Sequence, residues 1–290
     1  MALTTQLAPP ARTRTPLALW HLLSLDAPTV AALWTWFVAR TSHIRLPLAS
    51  PAAMALAVWM LYAADRLLDA RLLDRTGPRV ELEARHLFHH RHRRAFLLGI
   101  AFAAIALAAL LPRLNPAALR LYLIEGALLL AWFLVLHATR SAHRLPKEIA
   151  VGLFFAAATF IPTVAREPFA RAPVMSLALL PGAVLFAALC SLNCLFIYAW
   201  EHEGRAATPQ PHPTTRLALR HLTALASSIA LAAAALAAFD TAAPIAAACA
   251  LSSALLLVLD RNRRRLSTLT LRAAADLTLL TPLALLPFLR

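Results

Sequence analysis

Long apolar runs separated by short basic connections dominate the chain. Nine of them lie near residues 17–39, 46–64, 95–112, 117–138, 148–165, 174–200, 216–238, 242–259 and 268–289. Each approaches the roughly 20 residues that a helix needs to cross a bilayer, and none alternates as the strands of a membrane barrel do. Pro47, Pro116, Pro146, Pro173 and Pro213 stand at the edges of runs or just inside their starts, where helix termini accept proline. The pattern predicts an all-α, polytopic membrane bundle of about nine transmembrane helices. It is expected as a single domain over residues 17–290, behind a Pro-, Thr- and Arg-rich tail at 1–16. The first run does not read as a cleaved signal peptide: it is too long, carries Asp26 and lacks a small-residue cleavage site.

Composition agrees with a lipid solvent. Hydrophobic residues make up 60% of the chain and charged residues 14%, with a mean hydropathy of +0.67. A soluble domain is nearer half apolar and about a quarter charged. The arginines then set an orientation. Taking alternate connections, one side holds Arg12, Arg14, the eight arginines from Arg66 to Arg94, Arg140, Arg144, Lys147, Arg205, Arg216, Arg220 and the four from Arg261 to Arg265. The other holds Arg40, Arg45, Arg113, Arg120, Arg166, Arg171 and Arg290, which makes 20 against 7, with Arg272 inside the last run. The positive-inside rule predicts a cytoplasmic N-terminus and an outside C-terminus in a bacterial cytoplasmic membrane. The net charge of +14 therefore reads as short loops beside anionic lipid and not as a nucleic-acid surface. Cys190, Cys194 and Cys249 fall inside apolar runs and form no zinc or disulfide pattern.

Candidate chemistry concentrates at the ends of two runs. Asp65 and Asp69 follow the second run directly and are four residues apart, so on a helix they stack on one face and repel. A hard divalent cation such as Mg²⁺ would relieve that repulsion and share itself with a substrate phosphate. The alternative is a solvated interfacial turn whose acids pair with Arg66, Arg71 and Arg75. The sixth run ends in Asn193, Tyr198, Glu201, His202, Glu203 and Gly204. Glu201 and Glu203 diverge on a continuous helix and converge only if the helix stops there, which Gly204 favours.

Between these, Glu81 and Glu83 precede His86, His89, His90, Arg91, His92, Arg93 and Arg94. Acids first and bases last favour a helix through its dipole. The spacing of His86, His89 and His90 also matches one histidine box of membrane di-iron enzymes, yet no second box follows. A basic helix at the headgroups is the preferred reading.

Two acidic clusters, after the second and sixth of nine helices and on the same side, resemble the UbiA-type intramembrane prenyltransferase superfamily. Asp65 and Asp69 match the last two acids of its Asn-Asp-x-x-Asp-x-x-x-Asp motif, and Arg75-Thr76 resembles the ending that follows. Ser24-Leu25-Asp26-Ala27-Pro28 is similar to the family's Arg-x-Asp-x-Pro start of the first helix. Lys147, Gly152 and Pro162 fall where the family carries a diphosphate-binding lysine and a glycine- and proline-marked fifth helix. The chain departs at Leu61 and Tyr62, which replace Asn-Asp, at Ser24, and at Glu201 and Glu203, which replace spaced aspartates.

The resemblance implies prenyl transfer from an isoprenoid diphosphate to an aromatic or lipid-like acceptor, with Mg²⁺ held by Asp65, Asp69, Glu201 and Glu203. Lys147, with Arg71 or Arg75, would take up charge on the departing diphosphate. Asn193, Tyr62 and Tyr198 would line the substrate cavity. Other classes stay open: a catalytically idle member of the fold, a CDP-alcohol phosphotransferase, which lacks its glycine-spaced aspartates here, and a transporter using Asp26, Glu125, Arg272 and Asp276. In the last case Arg272 and Asp276, spaced i,i+4, are expected to pair with each other.

Overall fold

The computed structural model describes residues 15–75, 84–138, 146–166, 177–202, 211–239 and 243–288. All regular structure among them is helical. Eight helices are long and apolar enough to cross a membrane, or nine if the bent pair at the start counts as one span. The protein is thus a multi-pass, all-α membrane protein, as the run pattern predicts.

The first run is not one straight helix. Helix α1 (Pro16–Leu22) is started by Thr15, whose hydroxyl accepts from the Ala18 amide, and by Pro16 at its first position. Helix α2 (Asp26–Thr41) leaves at 89° to it. The corner is made by Ser24, which adopts a left-handed φ of 58°, an uncommon conformation for a side-chain-bearing residue that surrounding contacts must hold. At 16 residues α2 measures about 24 Å, short of a hydrocarbon core of roughly 30 Å.

Helix α3 (Ala49–Arg75) is the opposite case: 27 residues make about 40 Å. Its last turns therefore extend beyond the apolar slab, and the acidic stretch of the second run is helical throughout. Helix α4 (Ala84–Arg91) forms where the acid-to-base gradient predicts one. Helices α5 (Arg93–Leu110) and α6 (Pro116–Ala138) follow. Phe102, Ile105, Leu123 and Leu134 on them are well exposed, as helix faces turned to lipid are.

The core is built by α2, α7 (Lys147–Val164), α8 (Leu180–His202), α10 (Leu222–Phe239) and α11 (Ala243–Arg261). Short α9 (Pro213–Arg220) precedes α10. Trp34 and Phe186 stack at 4.0 Å in its centre, with Phe37, Phe155 and Phe160 around them. Gly152 lets α7 and α8 approach closely: a Cβ there would lie 2.5 Å from the Ala187 carbonyl oxygen. The last run is α12 (Thr268–Leu277) followed by short helical turns to Phe288. Side-chain bonds fix it to the core. The Trp34 indole donates to the Leu279 carbonyl at 2.8 Å, and the Thr281 hydroxyl donates to that of Ala248 at 2.9 Å.

Candidate functional site

One end of the bundle gathers the polar groups. Trp200 near the end of α8 donates to Asp260 near the end of α11, at 2.8 Å. The Thr215 hydroxyl of α9 donates to Glu148 in the first turn of α7, at 2.9 Å. Arg66 and Asp26 bring the C-terminal half of α3 to the start of α2. These are the connections that carry the arginine-rich side of the sequence count.

Within this end, a buried cluster forms around the α1–α2 corner. Arg66 donates to the His21 carbonyl oxygen and to the Ser24 hydroxyl, both at 2.8 Å, and lies 3.5 Å from Asp26. The Ser24 hydroxyl also hydrogen-bonds His89 Nε2, 3.1 Å away. The conformationally costly corner is thereby pinned by an arginine from α3 and a histidine from α4. Asp26 sits at the positive end of α2, where a carboxylate is favoured, and accepts from the Ala27 amide at 3.0 Å. Its other oxygen meets His21 Nδ1 at 2.5 Å.

Helices α8 and α12 close the cluster. Asp276 Oδ2 lies 3.8 Å from His21 Nδ1, and its Oδ1 accepts from the Asn193 amide at 2.9 Å. Arg272 forms an ion pair with Glu201. This corrects the expected i,i+4 pair of Arg272 and Asp276. One turn apart on α12, the two residues reach different neighbours on α8, so each is partnered across the helix interface. His21, Asp26 and Asp276 are also the one described set of three or more histidine, cysteine or acid ligands whose atoms all lie within 4.8 Å of one another.

The expected site residues divide. Asn193 and Glu201 join this cluster, while Tyr62, one turn before Arg66 on α3, packs against Ala31, Met54 and Val58. Tyr198 stacks on His202 at 4.0 Å. Lys147 is exposed at the first residue of α7. Asp65 is exposed on α3 while its neighbour Arg66 is buried. The side chains of Asp69, Arg71 and Arg75 lie outside the described residues although their backbone is helical, and Glu203 lies outside them altogether.

Sequence reasoning flagged Asp26 and Asp276 singly as intramembrane charges but not their convergence with His21 and Arg66. The available signal was the rarity of such charges in apolar runs, which marks each as needing a partner. No family model, curated protein or solved structure matches this chain.

Proposed function

We propose that the chain is a divergent UbiA-type intramembrane prenyltransferase. It would move an isoprenoid group from its diphosphate to an aromatic or lipid-like acceptor within the bilayer. One observation carries the reading. The end of α3, which resembles the family's first motif, and the end of α8, in the place of its second, lie at the same end of the bundle, beside a shared buried polar cluster. Buried charge of that kind is costly in a membrane and marks functional sites.

The chain's own groups suggest a division of labour. Lys147, a point charge on a flexible stem, would hold diphosphate without a bidentate requirement, with Arg71 or Arg75 as further cations for it. Tyr62 and the aromatic core would keep water from a developing allylic cation. Of the expected Mg²⁺ set, the side chains of Asp65 and Glu201 are described, and those of Asp69 and Glu203 lie outside the described residues. Glu201 pairs with Arg272. No step is therefore assigned to the metal. The orientation proposed with this reading places the polar end in the cytoplasm.

A second reading, transport, is favoured by a specific observation: Asp26 and Asp276, two intramembrane acids, both face His21 in the bundle interior. Binding separates the two. Purified protein should bind farnesyl or geranylgeranyl diphosphate in Mg²⁺ and lose it in chelator. Asp65→Asn, Asp69→Asn and Lys147→Ala should each weaken that binding, with Lys147→Arg retaining part. Equal binding by the parent in chelator, or parent-like binding by Asp69→Asn, would sink the proposed donor site.

A further inference from the structure

We infer that His21, Asp26 and Asp276 form a buried binding site for a borderline divalent transition metal, of the Zn²⁺ or Co²⁺ class, separate from the acids expected to hold Mg²⁺. The argument begins with ligand geometry. His21 Nδ1 lies 2.5 Å from Asp26 Oδ2 and 3.8 Å from Asp276 Oδ2. A tetrahedral ion with bonds near 2.1 Å needs its ligand atoms roughly 3.4 Å apart. The first distance must open by about 0.9 Å and the second close by about 0.4 Å, changes within rotamer adjustment on three short side chains.

Charge is the next consideration. With both carboxylates ionised and the imidazole neutral, Asp26, Asp276 and Arg66 together lack one positive charge, which a metal ion or a shared proton would supply. Glu201 and Arg272 balance each other nearby. A buried deficit of that kind calls for a cation.

An independent observation comes from α8. Asn193 is almost wholly buried; its amide nitrogen is used by Asp276, and its carbonyl oxygen has no partner. A buried carbonyl without a donor carries a desolvation penalty. Turned to an ion bound by Asp276, it would supply a fourth, oxygen ligand. The mixed set of one imidazole, two carboxylates and a carbonyl favours a borderline ion over Mg²⁺, which prefers oxygen alone. Access is through Asp276, whose side chain is 18% exposed, against 3% for His21 and 2% for Asp26.

The test uses tag-free, full-length protein in detergent and Co²⁺ as the probe, read by its visible absorption. The parent should bind one Co²⁺ that Zn²⁺ displaces and excess Mg²⁺ does not. His21→Gln and Asp276→Asn should each weaken this binding by at least the roughly 10–100-fold seen for lost second-shell partners. Asp276→Asn keeps shape and the partly exposed position, so it decides the matter alone if His21→Gln is not monodisperse. Three results would overturn the site: no Co²⁺ bound by the parent, which would leave a proton as the neutralising charge; binding unchanged in Asp276→Asn, which would assign the ion to the histidines of 86–92; and displacement by Mg²⁺, which would place it on an all-oxygen set.

Discussion

Gly152→Ala is the sharpest test of the packing. A Cβ at position 152 would clash with Ser191 Oγ and lie 2.5 Å from the Ala187 carbonyl oxygen and 2.9 Å from the Ser191 amide nitrogen. The hydroxyl can rotate away, at the loss of its 2.9 Å bond to Ala187. The other two contacts are backbone and cannot. Moving from 2.5 Å to an ordinary 3.4 Å contact requires α7 and α8 to separate locally by about 0.9 Å. That separation loosens Phe155 and Phe160 from Phe186, which they meet at 6.1 and 6.3 Å between ring centres. Overpacking of this kind costs about 1–3 kcal/mol and, with rigid backbone opposed, sits at the upper end. Replacing glycine in a helix returns roughly 0.5–1 kcal/mol, so the net loss should be about 2 kcal/mol. Gly126→Ala supplies the control, since nothing lies within 4 Å of a Cβ there. Denaturant unfolding in mild detergent should show Gly152→Ala destabilised and Gly126→Ala equal to the parent or slightly better. If Gly152→Ala matches Gly126→Ala, the close approach of α7 and α8 is wrong.

Arg66→Ala removes the cation that contacts Asp26 and the pin on Ser24; it should destabilise by about 3–5 kcal/mol, and adding Asp26→Asn should recover part of that loss in a double-mutant cycle. Independent, additive losses would argue against the pair. Trp34→Phe leaves the Leu279 carbonyl without its donor in the core and should cost about 1–3 kcal/mol, read by the same unfolding assay; a neutral result would detach the last run from α2. Reporter fusions at Arg94, Ala170 and Arg290 should report inside, outside and outside, and a cytoplasmic Arg290 would mean an even number of crossings.

The bundle was legible in the sequence because membrane helices must satisfy their own backbone bonds, so long apolar runs translate almost directly into helices. What periodicity could not show was the corner at Ser24. Its flanks, His21 and Asp26 apart, are apolar, and the bend depends on Arg66 and His89, which arrive from 42 and 65 positions away. The extension of α3 through Arg75 was readable only as a short i,i+4 spacing, not as 27 continuous residues. Pairing was the least legible feature. Local spacing favoured Arg272 with Asp276, whereas side chains of α8 took each of them separately. Tertiary contacts between helices decide such choices, and a single sequence carries no record of which faces meet.

The claim of prenyl transfer is tested most directly by turnover. Purified protein, reconstituted in lipid with Mg²⁺ and labelled geranylgeranyl diphosphate, should release diphosphate and move label into a lipid-extractable acceptor when offered an extract of membrane lipids and aromatic acids. Asp69→Asn should abolish both signals. Neither diphosphate release nor labelled acceptor from the parent, in a preparation shown to be folded, would contradict the assignment.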